Sequence, residues 1–212
     1  MEIKYFVRTI EDRSYDIPIE HEKIIDYNHK YVKAYIDALY HINDFNAVLM
    51  EDDIVLCKNF KEEIEKIINQ YPNNIINFFS SPTKYYTTHF SSLFLYNQCT
   101  YFPKNITAHL ANKMMEKYLD ENIYPNQQRY GSLLDIILIE EGIPHLIYRP
   151  TLVQHIDDKS TRDRPHMCRN TIYFKDYLDE IGITMEEAFY KDNQEKLQKL
   201  LDADREKWYK KK

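Results

Sequence analysis

The chain has 212 residues, 43% of them hydrophobic, and a formal net charge of −6, which allows one domain with a substantial core and argues against a protein that coats nucleic acid through bulk positive charge. A local basic groove is not excluded by that total. Only three glycines occur, Gly131, Gly142 and Gly182, so neither a G-x-G-x-x-G turn nor a G-x-x-x-x-G-K-[ST] loop can be written, which removes Rossmann-type dinucleotide binding and P-loop chemistry.

Cys57, Cys99 and Cys168 are odd in number and widely spaced, a pattern of reduced thiols rather than a disulfide framework or zinc knuckle. The longest apolar runs, such as Ile136 to Ile139, are far shorter than a membrane span, and no basic-then-apolar leader opens the chain. A cytoplasmic protein is expected. Abundant Lys, Asn, Ile and Tyr fit a genome rich in A and T, as in low-GC bacteria and their phages.

The residues from Ile3 to Ile10 are rich in β-formers and predict a first strand, entering a polar turn at Glu11 to Ser14. Tyr31, Ala34, Tyr35, Ala38, Leu39 and Ile42 recur every three or four positions and predict a helix. Ala47 to Met50 reads as a short strand running into Glu51-Asp52-Asp53. Phe60, Ile64, Ile67, Ile68 and Tyr71 mark a second helix, stopped by Pro72, and Ile75 to Phe79 another buried strand. The stretch from Ser80 to Phe102, rich in Tyr, Thr, Ser and Phe, reads as irregular hairpins over one end of a sheet. Helices are expected from Asn105 to Leu119 and from Ser132 to Glu141, the latter stopped by Gly142, followed by a strand at His145 to Tyr148. From Thr184 onward the pattern is charged and helical. Alternating strands and helices favour an α/β sheet with parallel members.

Three consecutive acids at a strand end repel one another. A divalent cation would relieve this, because hard carboxylate oxygens suit Mg²⁺ or Mn²⁺ and ligands of open α/β sheets gather at the carboxyl ends of strands. A solvated acidic turn is the alternative. The run Val48-Leu49-Met50-Glu51-Asp52-Asp53-Ile54 resembles the apolar-Glu-Asp-Asp-apolar metal motif of glycosyltransferases of the GT-A fold, including bacterial lipopolysaccharide-type enzymes and N-acetylglucosaminyltransferases. Further on, Arg149-Pro150-Thr151-Leu152-Val153-Gln154-His155, with Ser160 after it, is similar to the Pro-Ser-Leu-Val-Gln-His-x-Gly segment of related transferases, with Asp157 where that segment has Gly.

The resemblance implies a GT-A-like α/β fold with a mixed, mostly parallel central sheet flanked by helices. Residues 1–170 would form the nucleotide-sugar-binding and catalytic domain, and 171–212 a C-terminal helical extension packed on it. It further implies that Asp53 and His155 hold Mn²⁺ (or Mg²⁺), while Glu51 and Asp52 face the nucleotide and sugar. His155 can equally be a histidine hydrogen-bonded at a strand end. Arg162 and Arg169, with Lys159 and Arg164, are candidates to neutralise a diphosphate, and Arg8 to approach the nucleotide base or phosphate.

An inverting transfer needs a base, and Asp135 is the candidate. Ser132-Leu133-Leu134-Asp135 also has the form of a capping box, which leaves cap and base both open. Tyr85, Tyr86, His89, Phe90, Tyr96 and Tyr101 fall where such enzymes build the acceptor cleft, although aromatic side chains most often serve as core. The expected donor is a UDP-sugar, and the acceptor a hydroxyl on a glycan, a protein or a modified DNA base. A metal-dependent nuclease or phosphotransferase, and a catalytically inactive nucleotide-sugar-binding module, remain as alternatives.

Overall fold

The computed structural model describes residues 1–10, 16–27, 31–79, 97–119, 130–156 and 171–210. In chain order the elements are β1 (Lys4–Thr9), β2 (Glu22–Ile25), α1 (Tyr31–His41), β3 (Ala47–Glu51), β4 (Ile54–Leu56), α2 (Phe60–Gln70), β5 (Ile75–Asn77), β6 (Cys99–Phe102), α3 (Thr107–Leu119), α4 (Tyr130–Glu140), β7 (His145–Ile147), β8 (Val153–His155), α5 (Lys175–Ile181), a single 3₁₀ turn at Glu187–Phe189, and α6 (Lys191–Lys210). Six strands form one sheet in the order β2-β1-β3-β6-β5-β7, and β4 pairs with β8 in a separate two-stranded ribbon.

Pairing is parallel at β1–β2, β1–β3 and β5–β7, and antiparallel where β6 meets β3 and β5. Five strands therefore share one direction and β6 runs against them. The fold is α/β with a mixed, mostly parallel sheet, and the apolar content of its central strands follows from cover on both faces. Along β3, Val48 and Met50 enter one core with Tyr5, Val7, Ile64 and Ile68, while Ala47 and Leu49 enter the other with Tyr35, Leu39, Leu110 and Leu134. Helices α1, α3 and α4 cover one face; α2, α5 and α6 cover the other. Tyr177, Leu178, Met185, Ala188, Leu197 and Leu201 from residues 171–212 lie in the same buried cluster as Val48 and Met50.

Several expectations need correction. Cys99–Phe102 is a central strand, buried at every position, instead of an end hairpin; residues 80–96, including Tyr85, Tyr86, His89, Phe90 and Tyr96, lie outside the described residues, and Tyr101 is core. The strands β2 and β4 and the helix α5 are additional to those expected. Helix α4 is already under way at Tyr130, so Ser132 is not its N-cap and Asp135 cannot act as the acid of a capping box there. Gly142 does stop this helix: its φ is 62°, and the Ile143 N–H reaches back to the Leu138 carbonyl, the left-handed closure that glycine allows without a Cβ penalty. Among the described residues no helix is long and apolar enough to cross a membrane.

Candidate functional site

The common direction of five strands brings their carboxyl ends to one edge of the sheet: Thr9, Ile25, Glu51, Asn77 and Ile147, beside Cys99 where β6 begins. Such an edge is where open α/β sheets place ligands. In register, Arg8 lies opposite Glu51. The Arg8 Nη2 donates to Glu51 Oε1 at 2.9 Å, with the two side chains only 11% and 14% exposed. The guanidinium also lies 5.3 Å from the centre of the Tyr35 ring on α1. Burial pushes the Tyr35 hydroxyl above its ordinary range, against the opposing pull of Arg8, so the phenol stays neutral.

Glu51 is the last residue of β3, and the next side chain points to the other face because successive strand residues alternate. There Thr9, which follows Arg8 with the same alternation, donates its hydroxyl to Asp52 Oδ2 at 2.6 Å, with both residues buried. Two neighbours on β1 thus hold two neighbours of the acidic triplet. Of the two acids expected to face a nucleotide sugar, Glu51 meets Arg8 and Asp52 meets Thr9.

The third acid belongs to the ribbon. In the β4–β8 ladder Ile54 is opposite His155, and the Ile156 N–H donates to the Asp53 carbonyl at 2.8 Å. That clamp brings His155 Nε2 to 3.4 Å from Asp53 Oδ2, with side-chain exposures of 7% and 13%. Gln154 fixes the other side of β8 by a reciprocal pair, donating to the Thr171 carbonyl at 2.7 Å and accepting from the Thr171 N–H at 2.9 Å. Among the described residues no group of three or more His, Cys, Asp or Glu side chains gathers as a complete metal cage. Asp53 offers the hard carboxylate oxygen that Mg²⁺ or Mn²⁺ takes, and Mg²⁺ is commonly bound by one or two carboxylates together with waters and substrate phosphates; His155 is the nitrogen donor beside it.

Asp135 is 5% exposed on α4, among Leu133, Leu134, Ile137 and Leu138, which pack on the sheet face that also carries Leu49 and Ile147. The chain leaves α4 and returns along β7, parallel to β5, so the amino-terminal half of α4 lies toward the carboxyl edge. Arg162 and Arg169, like Lys159 and Arg164, lie outside the described residues. The sequence reading missed Thr9, Asp26 and Arg149 as contributors to this edge. Asp26 is buried just beyond β2, its N–H donating to the Thr9 carbonyl at 2.9 Å, and Arg149 is buried just beyond β7. Arg149 could have been found as a base directly after the expected strand His145 to Tyr148, whereas Asp26 follows a strand that the sequence did not show.

No protein-family model matches this chain, and no curated protein matches it.

Proposed function

We propose that this protein is a metal-dependent glycosyltransferase of GT-A-like architecture, moving a sugar from a nucleoside diphosphate, UDP first among the candidates, to an acceptor hydroxyl on a glycan, a protein or a modified DNA base. The observation that carries the reading is the approach of His155 to Asp53 at 3.4 Å, which joins two motifs distant in sequence into one O/N donor pair. The mixed sheet with one reversed strand, and the ribbon that follows the acidic triplet, support it further.

In this reading Asp53 and His155 hold Mn²⁺ or Mg²⁺, and the ion when bound supplies positive charge opposite the departing diphosphate. Arg8 keeps Glu51 in place and adds a fixed cation at the strand edge. Asp135 accepts the acceptor hydroxyl's proton as the oxygen attacks the anomeric carbon and the bond to the diphosphate breaks.

Titration of the protein with UDP, with and without Mn²⁺, tests the reading. UDP should bind at least about tenfold more tightly with Mn²⁺ present, and Asp53→Ala should remove that gain while the folded protein persists. Equal UDP affinity with and without the ion, or an Asp53→Ala variant indistinguishable from the parent, would overturn it.

A further inference from the structure

We propose that Gln154 is a positioning residue for the candidate metal site: by closing its amide on the backbone of Thr171 it fixes β8 and so holds the His155 ring beside Asp53. This rests on the metal reading above. The β4–β8 ladder matches three residues on each strand, and a two-stranded ribbon of that length is marginal by itself. A slip of one residue in β8 would turn His155 to the opposite face. The 3.4 Å approach of His155 to Asp53 therefore needs an anchor beyond the ladder.

Gln154 supplies that anchor from behind. Successive strand side chains alternate, so Gln154 leaves β8 on the face opposite Val153 and His155. Gln154 and Thr171 are both fully buried. A neutral amide offers a donor and an acceptor side by side, and here it takes both backbone groups of Thr171, donating to the carbonyl at 2.7 Å and accepting from the N–H at 2.9 Å. Thr171 is braced in turn. Its hydroxyl oxygen accepts from the Tyr173 N–H at 3.1 Å, the Thr151 N–H donates to the Tyr173 carbonyl, and the Lys175 N–H donates to the Thr151 carbonyl, each at 2.9 Å. On α5, the Tyr177 hydroxyl donates to Asp204 of α6 at 3.0 Å. Burial pushes that hydroxyl's pKa up, and the Gln154 amide beside it pulls against the rise. Strand β8 is thus tied to the chain that enters α5, independently of β4.

Gln154→Met keeps the length of the side chain and removes both bonds. Mn²⁺ affinity, measured with UDP present, should fall about tenfold to a hundredfold, the range for groups that orient a metal-binding histidine. The imidazole nitrogen coupling in pulsed EPR of the bound Mn²⁺ should be lost with it. The decisive arm is a cycle with His155→Ala: if Gln154 acts through His155, adding Gln154→Met to that variant costs no further Mn²⁺ affinity, whereas general damage adds its full factor. Thr171→Val unpairs the Tyr173 N–H but leaves the backbone groups that Gln154 uses, so it should lower the Tm and keep the parent's Mn²⁺ affinity. Gln154→Asn, one methylene too short to close the pair, replaces Gln154→Met if that variant does not fold. A full additional loss in the double variant, or an unchanged nitrogen coupling without the Gln154 amide, would overturn this inference alone. A parent that binds no Mn²⁺, or binds it without nitrogen coupling, would overturn the Asp53–His155 metal reading and this inference together.

Discussion

The six-stranded sheet and the β4–β8 ribbon meet at Glu51-Asp52-Asp53 and contribute differently to the site. The sheet is buried on both faces, and its edge holds Arg8, Thr9, Glu51 and Asp52 by ladder register and side-chain bonds. The ribbon has three residues per strand, yet it alone brings Asp53 to His155. The lesson is a separation of roles: the large sheet supplies rigidity from apolar burial, and the small one supplies a long-range pairing that sets Asp53 beside His155.

The largest expected effect lies on the sheet side. Asp135→Asn keeps the size of the side chain but cannot accept a proton at neutral pH. If the acid is the base, transfer from a UDP-sugar should fall by about 10² to 10⁴ with UDP affinity nearly unchanged. An inverted product formed at the parent rate would remove Asp135 from that role.

A paired truncation sharpens the contrast between the two sheets. Leu49, 2% exposed in the central strand, should cost about 3 to 5 kcal/mol as Leu49→Ala, because a cavity is left between α1 and the sheet. Leu56 is only partly buried in the ribbon, so Leu56→Ala should cost about 1 kcal/mol in denaturant unfolding, yet weaken Mn²⁺ binding by about threefold to tenfold. A ribbon variant that loses stability without losing Mn²⁺, or a sheet variant with the reverse pattern, would break the division of roles.

The smallest effect lies far from both, on the outer surface of α3 and α4. His109 on α3 contacts Glu141 Oε2 at 3.1 Å, and that hydrogen bond, against the opposing effect of desolvation and with help from Lys113, holds the Glu141 carboxyl below its ordinary value of 4.5. A depressed carboxyl contributes stability that is present above the unfolded-state pKa and is lost as the pH falls through the folded one. Glu141→Gln should therefore lower the Tm slightly at pH 7, with the difference closing as the pH drops below 4.5. A gap that persists in acid would mean that the contact acts through shape instead of charge.

By itself the sequence determined the α/β class, the helices over Tyr31–His41 and Phe60–Gln70, the strand before the triplet and the stop at Gly142, because apolar period and local backbone preference are properties of neighbouring residues. It also marked Arg8, Glu51, Asp53, Asp135 and His155 as residues to watch. Strand β6 escaped it because a four-residue strand buried on both faces has no alternation to show, and β2 because it is a short, polar edge. Tertiary structure alone decided which acid meets which partner. Pleat and register send Glu51 to Arg8 and Asp52 to Thr9, and the ribbon sends Asp53 to His155; each pairing joins residues distant in the chain, and strand register between such segments is fixed only when the whole sheet closes.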